Sequence, residues 1–227
     1  MIAILAGGQG KRYGKDKIIE LVDGRRVIDR LLEEFPDAVV ITTSEDRCKL
    51  YSATRCLIDK GKGPGEVMAS LEGEITFVPG DMPFVTREMV ERLEAYRRVL
   101  RADVAVPLHA NGFMESLLLS ANLDSIDLSF TGKLGRSLRA TDLIRFSARR
   151  AFVGSKLISP YGINFSHLNS PIDLRLRAPK SPLGEGLIIL EGEFRPCKDL
   201  MREIQAYEEL GLAQLRAHAL KDLKICK

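Results

Sequence analysis

The chain reads as an α/β protein built on a mainly parallel sheet. Short apolar runs at residues 1–5, 38–41, 55–58 and 75–79 alternate with segments whose apolar residues recur at helical spacing. That is the pattern of right-handed strand–helix–strand units. Glycine-rich or acidic stretches follow these runs, and the carboxyl ends of strands are where a parallel sheet places its ligands. A chain of 227 residues can form one large domain, or a main domain with an appendage.

Composition excludes several classes. A hydrophobic content of 45% beside 29% charged residues suits a soluble globular protein. A net charge of +3, 6% aromatics and no Trp leave no footprint for nucleic acid, and small anionic ligands account for the local basic clusters. No apolar run reaches the length of a membrane span, and the apolar start is too short for a signal peptide. Cys48, Cys56, Cys197 and Cys226 form no C-x-x-C pair and have no close His partners. Neither zinc nor a disulfide framework is therefore expected, and a reducing cytoplasm is the simplest setting.

The first strand empties into Ala6-Gly7-Gly8-Gln9-Gly10-Lys11-Arg12-Tyr13-Gly14-Lys15-Asp16-Lys17. Gly7, Gly8 and Gly10 let backbone N–H groups approach phosphate oxygens. Arg12 and Lys17, with Lys11 and Lys15, add the cationic charge a polyphosphate needs. A P-loop is excluded because no Ser or Thr follows Gly10-Lys11. The dinucleotide fingerprint is out of register, its last glycine falling one residue late at Gly14.

The next elements follow in order. Residues 18–21 read as an extended piece turning at Val22-Asp23-Gly24. A helix from Arg26 carries Val27, Ile28, Leu31, Leu32 and Phe35 inward until Pro36 stops it. The β-branched strand at 38–41 leads to Thr42-Thr43-Ser44 and a helix beginning with Glu45 and Asp46. The strand at 55–58 ends in Asp59, after which Gly63 and Pro64 open another helix. The strand at 75–79 delivers Asp81 between Gly80 and Met82-Pro83, a fixed turn that presents one carboxylate to a metal.

A helix capped by Thr86 spans 87–100, with Arg92, Arg97, Arg98 and Arg101 read as a solvated face. After a strand at 103–108, His109 and Glu115 could contact a substrate, or are structural. A basic helix is expected over 132–143, and an extended segment over 145–153 puts Arg149 and Arg150 either near an anionic acceptor or on the surface. Ser170 and Pro171 are a cap and first-turn pair. The tail reads as an edge strand at 187–190 and helices at 198–210 and 213–223.

Residues Leu5 to Gly8, Arg12, Gly14, Asp16 and Lys17 resemble the nucleotidyltransferase signature L-A-G-G-x-x-x-R-x-G-x-D-K. Gly80-Asp81-Met82-Pro83-Phe84 is similar to the second motif of the molybdenum cofactor guanylyltransferase family, and Asn169-Ser170-Pro171-Ile172-Asp173-Leu174 to its closing motif. The resemblance covers residues 1–174 and implies a Rossmann-like three-layer αβα nucleotidyltransferase domain. Residues 175–227 then form a C-terminal helical extension packed on it, or an interface.

The implied reaction is transfer of a nucleoside monophosphate, GMP from GTP, to the phosphate of molybdopterin with release of pyrophosphate. Arg12, Lys17 and Asp81 are the catalytic candidates. Leu5, Ala6, Gly7, Gly8, Gly10, Lys17, Thr42, Asp59, Gly63, Pro64 and Asp81 would line the nucleotide site. Asp81 and Asn169 would hold Mg²⁺, and His109 and Glu115 would face the acceptor. Guanylyl transfer to adenosylcobinamide phosphate, a CTP-dependent cytidylyltransferase and a nucleotide-binding regulatory protein stay open as alternatives.

Overall fold

The computed structural model describes residues 1–7, 16–59, 63–129, 134–170, 173 and 181–226. Gly8, Gly10 and Arg12 lie outside the described residues.

The central sheet is built from β1 (Ile2–Leu5), β4 (Val39–Thr42), β5 (Cys56–Ile58), β6 (Glu74–Pro79), β7 (Val104–Leu108), β8 (Leu119–Asn122), β9 (Arg149–Gly154) and β10 (Leu187–Glu191). Its order is β10-β9-β7-β8-β6-β1-β4-β5. Neighbours β6, β1, β4 and β5 are parallel, as are β7 and β9, while β8 and β10 run antiparallel to their partners. Because β8 alone separates β6 from β7, those two strands point the same way. The carboxyl ends of β1, β4, β5, β6, β7 and β9 therefore share one edge of the sheet.

Both faces of the sheet are buried, and side chains alternate between them with period two. Ala3, Ile41, Phe77 and Val104 enter one apolar cluster, and Ile4, Val40, Val78 and Ala105 the other. The second face is covered by α1 (Val27–Glu34) and α4 (Arg87–Val99), through Ile28, Leu31, Met89 and Leu93. The first is covered by α3 (Pro64–Ala69), α5 (Ala140–Arg145), α7 (Leu200–Glu209) and α8 (Ala213–Asp222). Two short elements complete the frame: α2 (Glu45–Leu50), capped by Ser44, and α6 (Ser155–Ile158). A two-stranded hairpin, β2 (Leu21–Val22) with β3 (Arg25–Arg26), turns at Asp23 and Gly24, both at positive φ.

The expected elements fall close to these bounds, with four corrections. Strand β8 was not foreseen. The basic helix expected over 132–143 is the shorter α5, starting at Ala140. Arg97 belongs to no solvated face: it is buried, bonds Ser120 Oγ at 3.1 Å and pairs with Glu74 at 2.9 Å. Arg150 is neither surface charge nor an acceptor contact, since it is fully buried and donates to the carbonyls of Ile144 and Gly192.

The cysteines contradict the free-thiol expectation. Cys48 is bonded to Cys56, and Cys197 to Cys226. The first pair meets because the chain reverses between α2 and β5, and the second because α7 and α8 return antiparallel, so neither is visible in local spacing. Disulfides persist in oxidising compartments and in intracellular proteins of hyperthermophiles. The cysteine count thus gives no support to a reducing cytoplasm.

Residues 181–226 share the core of the preceding chain. Tyr207, Leu212, Leu215 and Ala219 pack into the same cluster as Phe77 and Phe152. A buried ionic group fastens α7 and α8 to α5. Arg145 forks onto Glu203 at 2.6 and 2.9 Å and also reaches Asp142 and Asp222, while Arg136 bridges Asp142 and Asp222. Burial would raise the Asp222 carboxyl, but hydrogen bonds from Arg136 and Arg145 outweigh it and hold it at about 2. Nearby, His218 bonds Thr141 Oγ1 at 2.7 Å; burial first, then Arg139, pushes its imidazole down to about 4.

Both groups bind protons more readily in the unfolded chain, so each makes stability rise with pH between its folded and ordinary values. The melting temperature should fall as pH drops from the ordinary His value of 6.5 towards 4, and fall again below the ordinary Asp value of 3.8. His218→Gln should remove the first decline and leave the second, as read by thermal melts across pH.

Candidate active site at the carboxyl edge of the sheet

A cleft of about 320 Å³ opens at the carboxyl edge, lined on its β1, β5 and α3 side by Leu5, Gly7, Asp59, Gly63, Pro64 and Val67, with Thr43 following β4. Lys17, Ile18, Pro79, Asp81 and Leu117 complete its wall. Its size is within the range of small-molecule sites.

Asp81 reaches this edge through a close crossing of β1 and β6. The Gly80 N–H donates to the Leu5 carbonyl at 3.0 Å, and a Cβ at Gly80 would lie 2.7 Å from that oxygen. Only glycine lets the two strand ends approach so closely. Lys17 arrives from the other side on a 3-10 turn, Lys17–Ile19, capped by Asp16. Asp16 accepts from the Ile18 N–H at 3.2 Å and from the Tyr51 hydroxyl at 2.6 Å, with Arg47 at 3.5 Å. Tyr51 is fully buried, so the start of the turn is anchored to the core.

Lys17 Nζ lies 2.6 Å from Asp81 Oδ2. On the opposite side His167 Nδ1 faces Asp81 Oδ1 at 3.5 Å, and the Leu168 N–H donates to the Asp81 carbonyl at 2.8 Å. Burial would raise the Asp81 carboxyl, but His167 and then Lys17 more than offset it and hold it well below the usual carboxylate range. Burial would likewise lower His167, but hydrogen bonds to Asp81 and Glu115 raise it to about 9. The site thus carries an anion between two cations.

Glu115, in the β7–β8 connection, continues the chain of contacts. Its Oε2 lies 2.8 Å from His167 Nε2 and its Oε1 2.8 Å from His109 Nε2. His109 Nδ1 meets Ser155 Oγ at 3.1 Å, and that oxygen accepts from the Gly184 N–H at 3.0 Å. Burial would raise Glu115, but His109 and His167 hold it down at about 2.

Of the residues singled out in the sequence, Leu5, Gly7, Lys17, Asp59, Gly63, Pro64 and Asp81 line one cleft. Ala6 sits beneath it, fully buried, its N–H on the Ile41 carbonyl at 2.7 Å. The Thr42 side chain is fully buried, and its neighbour Thr43 lines the cleft. Asn169 follows Leu168 beside Asp81, and its N–H donates to Asp173 Oδ2 at 2.7 Å. His109 and Glu115 turn inward: His109 is 4% exposed and both Glu115 oxygens are engaged by histidines. His167 carried no assignment from sequence, although two of the chain's three histidines come together on Glu115 and one of them is two residues before Asn169.

Among the described residues no group of three His, Cys, Asp or Glu side chains is arranged to hold a metal. A single ionised carboxylate instead fits a hard cation that takes most of its ligands from phosphate and water, as Mg²⁺ does.

A mainly parallel αβα sandwich with a cleft of this kind at the sheet's carboxyl edge defines an α/β protein of the nucleotidyltransferase type. The sequence model of the MobA-like NTP transferase domain matches residues 2–144, and the chain belongs to that family. The probable molybdenum cofactor guanylyltransferase of Methanothermobacter thermautotrophicus is 27% identical over 201 residues, covering 77% of this chain and 97% of its own. The molybdenum cofactor guanylyltransferase of Rhodobacter capsulatus is 28% identical over 196 residues, covering 75% and 90%. The crystal structure of molybdopterin-guanine dinucleotide biosynthesis protein A from Archaeoglobus fulgidus shares the fold, with a TM-score of 0.63 at 23% identity over 78% of this chain and 96% of that one.

Gly80→Ala should force the β1 and β6 ends apart. The expected cost is on the order of 2 kcal/mol in urea unfolding, with weakened nucleotide binding in the variant that remains folded. Unchanged stability would contradict the close crossing.

Proposed function

We propose that the protein transfers GMP from GTP to the phosphate of molybdopterin, with release of pyrophosphate. The observation that carries this reading is the opposition of Lys17 and Asp81 in a cleft at the sheet edge, in a chain whose relatives bear the names given above. The acceptor's phosphate oxygen forms a bond to the α-phosphorus of GTP as the bond to the β-phosphate breaks. The leaving pyrophosphate carries the displaced charge.

Such chemistry needs alignment and charge neutralisation rather than a covalent nucleophile. Leu5, Gly7, Asp59, Gly63 and Pro64 would seat the nucleoside. Gly8, Gly10 and Arg12 would join Lys17 around the triphosphate. Lys17 pairs with Asp81 in the free protein, and a triphosphate in the cleft offers it a second anion. Asp81, with Asn169, would hold Mg²⁺, whose charge neutralises phosphate oxygens. His167, on the far side of Asp81, keeps that carboxylate in place when Lys17 turns away.

The test is pyrophosphate release from GTP, CTP, ATP and UTP against molybdopterin and cobinamide phosphate. GTP with molybdopterin should be the productive pair. Asp81→Ala should abolish turnover while circular dichroism stays native, and Lys17→Ala should slow it on the order of 10²-fold. Normal turnover by the Asp81 variant would overturn the assignment.

A further inference from the structure

The geometry points to Glu115 as a positioning residue for the site, acting on Asp81 through His167, with His109 and Ser155 as its support. This rests on the functional reading above.

Every member of the chain of contacts stands at the same edge of the sheet. Asp81 follows β6, His109 follows β7 and Ser155 follows β9, while Glu115 lies in the loop that leaves β7. Parallel strands thus deliver three of these groups in a row, and Glu115 with His167 bridges the gap between the first two. Donors and acceptors can be assigned along the row. A carboxylate can only accept, so His109 Nε2 and His167 Nε2 both donate to Glu115. The Gly184 N–H already uses one lone pair of Ser155 Oγ, and the Ser155 hydroxyl is then free to donate to His109 Nδ1. His109 is bonded at both nitrogens, and His167, bonded through Nε2, has its Nδ1 facing Asp81 Oδ1 at 3.5 Å.

A half-buried carboxylate between two imidazoles is a poor stabiliser compared with apolar residues of equal volume. Phe165, which stacks edge-on against His109 with centroids 5.4 Å apart, shows that apolar packing is available on this spot. The polar row is explained by what it reaches. Residues that orient a ligating group commonly change metal affinity or activity 10- to 100-fold, and Glu115 stands one histidine away from the carboxylate that would meet the metal.

Glu115→Gln keeps the volume but places an amide donor against one of two N–H groups, so either one ring releases or His109 changes tautomer, and the charge that holds His167 is lost. His167→Gln serves as the second variant, because it removes the link itself. Two readouts separate a positioning role from a merely structural one. In steady-state kinetics with GTP and molybdopterin, kcat should fall about 10-fold or more in each variant while KM for GTP stays within about twofold, and the double variant should be no worse than the poorer single one. In Mn²⁺ titrations in the presence of GTP, read by the free-ion EPR signal, each variant should weaken Mn²⁺ affinity about 10-fold. Variants that lose thermal stability yet match the wild type in kcat and Mn²⁺ affinity per folded molecule would overturn the inference. A wild-type protein that transfers no nucleotide would overturn the functional reading instead, and the Mn²⁺ titration would still decide the role of Glu115.

Discussion

The structure turns on the Asp81 carboxylate, held at the end of β6 between Lys17 and His167. A half-buried anion needs well-formed partners, and the fold supplies both. Lys17 comes from a turn anchored through Asp16 to Tyr51, and His167 from a segment whose backbone also bonds Asp81. Gly80 sets the carboxylate at the right place by allowing β6 to lie against the end of β1. Removing any one of these supports leaves a charge without its partner or a strand end out of register.

The sheet explains why these groups meet. Antiparallel β8 separates two parallel blocks but leaves both pointing the same way, so six strands present their carboxyl ends along one edge. The cleft occupies the β1–β4–β5–β6 part of that edge, and the histidine row the β6–β7–β9 part. Asp81 is the point where the two meet. On the sheet's outer flank, α7 and α8 close one face through Tyr207 and Leu215 and through the Arg145 ionic group. Residues 181–226 thereby contribute to the same core that carries the site.

Much of this was legible in the sequence because its signals are local. Alternating apolar runs and helical spacing located β1, β4, β6, α1 and α4, and a Gly-Asp turn after a strand located Asp81. What escaped is governed by contacts between distant segments. Residues 119–122 have no β-branched side chain, yet β8 is central because β6 and β7 flank it. Arg97 read as part of a solvated face and Arg150 as a surface or acceptor-facing cation, but their partners Ser120 and the Gly192 carbonyl lie 23 and 42 residues away. The two disulfides and the pairing of His109 and His167 on Glu115 are of the same kind. At Thr42 the strand runs one residue further than its apolar run, so the Thr42 side chain is buried and Thr43 lines the cleft.

The central claim is that one cleft, with Lys17 and Asp81 at its working end, receives the triphosphate. A crystal structure with Mn²⁺ and a non-hydrolysable GTP analogue tests it most directly. The account predicts the nucleoside between Gly7, Asp59 and Pro64, Lys17 on a phosphate oxygen, and Mn²⁺ on Asp81. A nucleotide bound elsewhere, or an ion that leaves Asp81 paired to Lys17 as in the free protein, would contradict it.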